Sequence, residues 1–435
     1  MQRRKTSLRL LLGFAAILLP GEGHAQLSGG NRFILPDNAP VAVMERSRGG
    51  TDATPIRLGD FLVTPRLFVS TAFDDNVFTT RSNRRSDVVF RLSPGLTVLR
   101  SGSVASLAAE VALETVNYAR YGDLNAINGR LGLTGSYVLA GNTLITASSS
   151  FVRTTDSGAG LGTINNNPGT NNNNVFGQQP FQIDPVAVNR YNNNLSLITD
   201  LNRVELRFSA NWQHVNYSNT GATPASITAN QAQRDGDILT FTGRVGYRLS
   251  APTTAFMEVA YNNRSYRNSA FNSEGYRVVG GLRSDLFRLV RGEVFVGYLQ
   301  QAFNAPFGNR SGVAFGANLR WFPTERLTFT INGSRDVGEP SANLARPGIA
   351  TNIGGGVDAE LLRNWTASAG ASFVNISYTG VSGSDEFVAT TLSTNYLINR
   401  HLSLNGGWRY AHRLAANPAS NYIRNQLFLG LRAQF

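Results

Sequence analysis

At 435 residues the chain is long enough for two or three soluble domains or for one large β architecture. It has no cysteine, which excludes disulfides, thiolate-bound metals, thiol catalysis and a lipidated amino-terminal cysteine. Its net charge is +12 and 42% of its residues are hydrophobic, yet beyond the amino-terminus there is no apolar run of about eighteen residues, so a helical membrane protein is excluded.

Residues 1–25 combine Arg3, Arg4, Lys5 and Arg9 with an apolar run from Leu10 to Leu19, a Pro20-Gly21 break and then Gly23-His24-Ala25. This is the order of a cleavable secretory signal peptide, cut after Ala25; the run is too short for a membrane anchor. Cleavage removes four basic residues and Glu22 and leaves a charge of +9. Residues 26–59 are rich in Gly, Pro, Asp and Arg without sustained periodicity, and read as a mostly irregular periplasmic extension. A disordered leader is the expectation, with a plug in a pore or a dock for a periplasmic export partner as alternatives.

From residue 60 to 435 the chain breaks into alternating segments of about ten to fifteen residues, the length of a tilted membrane strand with its overhang. The predicted strands are eighteen: 60–73, 86–99, 104–118, 128–138, 142–155, 188–199, 202–217, 236–248, 253–266, 273–287, 290–303, 310–321, 325–337, 349–362, 364–378, 385–398, 400–412 and 423–435. Connections after even-numbered strands are tight, as at Asp200-Leu201, Arg288-Leu289, Arg363 and Asn399. Those after odd-numbered strands are mostly longer and rich in Asn, Gly, Ser and Asp. Sorting by parity is what a membrane barrel requires when both termini lie in the periplasm, and a soluble propeller or sandwich has no reason for it.

The faces agree. The last strand sets Ile423, Leu427, Leu429, Leu431, Ala433 and Phe435 against Arg424, Gln426, Gly430, Arg432 and Gln434, with only Phe428 out of pattern. Segment 202–217 sets Val204, Leu206, Phe208, Ala210 and Trp212 against Arg203, Glu205, Arg207, Ser209 and Asn211. Trp212, Trp321, Trp365 and Trp408 sit where an interfacial girdle against outer-membrane lipid would lie. A closed ring is implied, because an open sheet edge in lipid leaves backbone groups unbonded. The final Phe435 is similar to the terminal Phe that barrel assembly machinery recognises in bacterial outer-membrane proteins.

Residues 64–78 (TPRLFVSTAFDDNVF), 86–96 (SDVVFRLSPGL), 274–303 (EGYRVVGGLRSDLFRLVRGEVFVGYLQQAF) and 312–330 (GVAFGANLRWFPTERLTFT) resemble the type-two β-barrel porins, and 359–370 (AELLRNWTASAG) adds a weaker match. That family of Gram-negative outer-membrane proteins is often associated with exopolysaccharide production. The resemblance implies an outer-membrane barrel with a role in transport or envelope assembly, and brings no catalytic residues.

Lumen-lining candidates are Arg203, Arg207, Arg244, Arg248, Arg277, Arg283, Arg320, Arg409, Arg424 and Arg432, with Glu205 and Asp285 as nearby acids. Such a lining stabilises anions by field and by bidentate bonds, or is a solvated wall with counter-ions. The loop at 156–187, with NNNPGTNNNN, is a mobile surface loop or a constriction. Asp74-Asp75-Asn76 suits turn chemistry better than calcium, and no metal or other cofactor is expected. His214, His401 and His412 lie in no local Ser or Asp signature, so no enzyme is expected; the scattered arginines do not suit nucleic acid. The sequence therefore predicts an all-β, antiparallel up-and-down transmembrane barrel of about eighteen strands. It would pass small solutes, or export an acidic exopolysaccharide; a plugged structural or adhesive barrel is the alternative, and a hydrolase the least favoured.

Overall fold

A computed structural model describes residues 41–44, 46, 48, 54–139, 142–155, 186–219, 231–286, 289–338, 346–380 and 383–435. The signal-peptide segment, most of the leader and the bulk of the 156–187 loop lie outside the described residues. Within them a short strand, β1 (Ile56–Leu58), precedes eighteen long ones. These are β2 (Phe61–Asp74), β3 (Asp87–Arg100), β4 (Ala105–Tyr118), β5 (Ala126–Leu139), β6 (Thr143–Thr155), β7 (Val186–Leu201), β8 (Val204–Asn219), β9 (Gly236–Ser250) and β10 (Thr253–Tyr266). There follow β11 (Ser273–Leu286), β12 (Val290–Phe303), β13 (Asn309–Thr324), β14 (Leu327–Val337), β15 (Gly348–Leu362), β16 (Trp365–Tyr378), β17 (Ser384–Leu397), β18 (Leu402–Leu414) and β19 (Tyr422–Gln434). Each of the eighteen coincides with a predicted strand, and no end differs by more than three residues.

Every long strand pairs antiparallel with its sequence neighbours. β19 then pairs with β2 from Gln426↔Asp74 to Gln434↔Arg66, so the sheet closes. Closure leaves no edge with unpaired backbone groups, and so meets the constraint lipid places on a spanning sheet. One rim carries connections of two to four residues between strands; the other carries the longer ones. At the short-turn rim β7 runs two residues further than predicted and β8 begins two residues later. Their turn is Asn202-Arg203 rather than Asp200-Leu201, because Asn202 takes the left-handed conformation (φ 62°) that a two-residue hairpin needs.

Alternation sorts the side chains. Leu67, Val69, Phe73, Phe208, Val245, Met257, Val296, Ile331, Leu427 and Leu429 are exposed on the outer surface, an apolar band suited to lipid and unsuited to water. Toward the short-turn rim it is bordered by exposed Tyr137, Tyr247, Trp321, Trp365 and Tyr396. Toward the long-loop rim Tyr191, Trp212, Tyr261, Tyr276 and Tyr298 form a second border. Two aromatic rings around an apolar band are the arrangement of a membrane barrel.

The interior is not uniformly polar. Under the long loops, inward Val89, Val116 and Tyr118 pack with Val77 and Leu124 from the loops. Val374, Phe387, Ala389, Ala411 and Tyr422 make a second buried cluster on the other side of the closure. These clusters anchor the loop bases. The charged and hydrophilic part of the wall lies below them.

Candidate functional site in the lumen wall

On β8 to β14 the inward positions form a continuous ladder of ions. Arg244 bonds Glu258 through Nε (2.8 Å) and Nη2 (2.6 Å), and Glu293 through Nη1 (2.7 Å) and Nη2 (3.0 Å). Arg277 joins Glu258 at 2.9 Å to Asp336 at 3.0 Å. Glu205 accepts from Arg207 at 2.6 Å and from Arg283 at 2.7 Å. Arg207 and Arg244 are direct cross-strand neighbours, and two like charges so placed repel. The shared carboxylates on either side offset that repulsion. Sequence reading placed Glu205 on this wall but missed Glu258, Glu293 and Asp336. The parity of β10 carries the signal for Glu258, which lies two residues from inward Phe256.

The closing seam is built differently. Arg424 is 1% exposed and Asp74 is 0% exposed, and they bond through Arg424 Nε to Asp74 Oδ1 (3.0 Å) and Oδ2 (2.8 Å), with a further close contact from Nη2. Gln426 donates to the same carboxylate at 2.7 Å. Asp75 accepts from the Asn425 backbone (2.6 Å) and side chain (2.7 Å), while Asn76 donates to the Ile423 carbonyl at 2.9 Å. The Asp74-Asp75-Asn76 stretch thus fastens the first long strand to the last. Arg424, expected to line the lumen, is sealed inside this junction.

Elsewhere on the seam guanidinium groups lie on aromatic rings. Arg409 sits over Phe428 at 4.4 Å and Arg432 over Phe68 at 6.0 Å. The rings face inward because glycine leaves room: a Cβ on Gly407 would meet Phe428 at 2.8 Å, and one on Gly430 would meet Phe68 at 2.6 Å. This explains why Phe428 departs from the apolar face of its strand. Phe256 against Gly281 under Arg244, and Phe295 against Gly316 near Arg277, repeat the arrangement in the ladder.

Two predicted lumen residues stand at the short-turn rim instead. Arg203 lies in the β7–β8 turn and is exposed. Arg248 bonds the Asn202 carbonyl at 3.0 Å and lies 3.6 Å from Asp200. Arg320 is partly buried and opposes Arg291 across β12 and β13. Asp285 pairs in register with Arg291; its side chain lies outside the described residues. At the same rim the leader enters the barrel. Val43 is 0% exposed and donates its backbone N–H to Thr328 Oγ1 on β14 at 3.0 Å. Arg46 lies 3.6 Å from Glu360 of β15, and Arg48 bonds the Val43 carbonyl at 2.5 Å. An inward hydroxyl and an inward carboxylate hold these residues, whereas residues 26–40 of the expected leader lie outside the described residues.

The three histidines do not converge. His214 faces outward and meets Asp237 at 2.9 Å, beside Trp212. His412 faces outward near Tyr410. His401 stacks on Phe435 at 5.2 Å and contacts the Gln434 carbonyl at 3.1 Å. Phe435 itself is half exposed, and its N–H bonds the Pro65 carbonyl at 3.1 Å.

Solved Pseudomonas aeruginosa structures similar to this chain include OpdL, the outer membrane protein OpdK and the ferric enterobactin receptor PfeA. OpdL is 10% identical, with 87% of this chain and 99% of that one covered at a TM-score of 0.44. For OpdK the values are 8%, 86%, 99% and 0.43, and for the ferric enterobactin receptor PfeA 9%, 86%, 80% and 0.42. No curated protein matches the sequence. A family model described as "Putative beta-barrel porin 2" matches residues 50–435.

Proposed function

The chain belongs to the beta-barrel porin 2 family, and as an outer-membrane barrel of that family we propose that it is a passive channel for small hydrophilic solutes. One observation carries the reading: around much of the barrel the inward residues are polar without forming a packed core. Between β5 and β9 the facing positions Thr134, Ser148, Asn194, Asn211 and Thr240 are aligned strand to strand. Hydroxyls and carboxamides in such a wall keep their hydrogen bonding through water, and a solute can exchange with that water. Barrels of about sixteen to eighteen strands are wide enough for an aqueous channel.

Export of an exopolysaccharide is a finer version of the same proposal. The family resemblance suggests it, and the neutral carboxamide wall suits a hydroxyl-rich chain. A plugged barrel is the second reading, favoured by the leader segment at Thr328 and Glu360. We place both termini in the periplasm on the short-turn rim, which puts the leader at the periplasmic mouth.

Liposome swelling tests the channel. Purified barrel in vesicles should admit neutral solutes up to a size limit and exclude larger ones. Vesicles that stay osmotically tight to the smallest sugars, with folded protein present, would refute an open pore and favour the plugged barrel.

A further inference from the structure

The turns at the short-turn rim are not alike. From the β13–β14 turn through β15–β16 and β17–β18 to β1, successive stations around the ring each carry an exposed arginine: Arg326, Arg363, Arg400 and Arg57. Among the described residues none of these guanidinium groups has an ion-pair or hydrogen-bond partner. Elsewhere on the rim Arg100 faces Asp60 at 3.7 Å, and Arg248 is held by Asn202 and Asp200. Arg203, on the β7–β8 turn across the ring, is exposed and unengaged but stands apart from the arc.

Side-chain carboxylates do not balance the arc. Glu325 is exposed beside Arg326, but Asp60 already faces Arg100 and Glu360 lies 3.6 Å from Arg46. Asp358, further inside the barrel, accepts from Ser368 at 2.6 Å. The arc keeps a surplus of positive charge.

The same stations carry the apolar edge of the barrel. Leu58, Leu361 and Ile398 are exposed within two residues of these arginines. On the outer surface Trp321 packs on Phe329 at 5.0 Å, and Trp365 meets Tyr396 edge-on at 6.5 Å. Arg363 lies two residues from Trp365, Arg326 three from Phe329 and Arg400 four from Tyr396. On tilted strands rising about 3.3 Å per residue, that is about 5–10 Å beyond the aromatic border, the level of lipid phosphates. An aliphatic side chain beside an unpaired guanidinium suits this boundary, where one enters the acyl layer and the other meets a phosphate.

We propose that the arc from Arg326 through Arg363 and Arg400 to Arg57 is a binding surface for anionic phospholipid. Each turn takes its own headgroup, so the four side chains need not converge. Phospholipid fits better than an acidic protein, because the leaflet is present wherever the barrel is inserted and because exposed aliphatic side chains stand beside the charges. The surface rests on the short turns lying at a phospholipid leaflet and not on conduction, so a plugged barrel keeps it.

Tryptophan quenching by brominated lipid tests it. The full barrel with Trp212→Phe and Trp408→Phe keeps Trp321 and Trp365, both at this rim, as its reporters. In phosphatidylcholine vesicles at low salt, brominated phosphatidylglycerol should quench more than brominated phosphatidylcholine at the same fraction, a preference of about two- to fivefold. Arg326→Gln, Arg363→Gln and Arg400→Gln together should abolish the preference, and lysine at the same three positions should keep it. All three lie in exposed turns and their side chains make no bond among the described residues, so the variant should fold as the parent does. Arg203→Gln should leave the preference unchanged. Equal quenching by the two lipids in the parent, a preference that survives the three glutamines, or an equal loss in Arg203→Gln would overturn the surface.

Discussion

Asp74 and Arg424 lie 350 positions apart in sequence and form a buried ion pair where the first long strand meets the last. Their junction fixes the register of a nine-pair ladder that closes the whole ring. Because both groups are out of solvent, removing one leaves the other uncompensated. We expect Asp74→Ala to cost about 3–5 kcal/mol, whereas Asp74→Leu with Arg424→Met costs far less. Urea unfolding in detergent, followed by tryptophan fluorescence, reads the difference; equal losses in the two variants would show that the pair does not act as a unit.

The ladder makes a separate prediction. Glu258 serves both Arg244 and Arg277, so Glu258→Gln strips two cations of a shared partner. Stability should fall by about 1.5–3 kcal/mol. The reversal potential in a salt gradient should also move toward anions, because the lumen loses a negative charge. A shift toward cations would contradict the inward placement of this carboxylate.

The leader should narrow the pore. Deleting residues 26–48 is expected to raise single-channel conductance, and Thr328→Val to reproduce part of that rise by removing a hydrogen bond worth about 1 kcal/mol. Recordings of the truncated and full chains decide this. Equal conductance in all three proteins would mean that the contacts with Thr328 and Glu360 do not restrict passage.

Phe435 separates assembly from stability. Its ring is half exposed and makes one stacking contact with His401, so deletion should change the unfolding midpoint little. If assembly machinery reads this residue, the amount of folded barrel recovered from membranes should drop severalfold. A large loss of stability with normal recovery would assign Phe435 a structural role instead.

Much of the fold was legible because lipid imposes period-two alternation and closure imposes an even strand count. The β7–β8 turn was misplaced because Asp200-Leu201 looks turn-like, while the left-handed tolerance of Asn202 decides the geometry. The lumen was less legible. Alternation says that Arg424 and Arg409 share a face, but not that Asp74 seals the first while Phe428 supports the second. Those fates depend on partners hundreds of residues away. The docking of Val43 is equally invisible locally, since its partner Thr328 lies 285 positions on.

The central claim is an open, hydrophilic lumen, and single-channel recording in a planar bilayer tests it most directly. The full chain should give discrete ohmic steps, and the chain without residues 26–48 should give larger ones. Silence from both, with each shown to be folded, would contradict the channel.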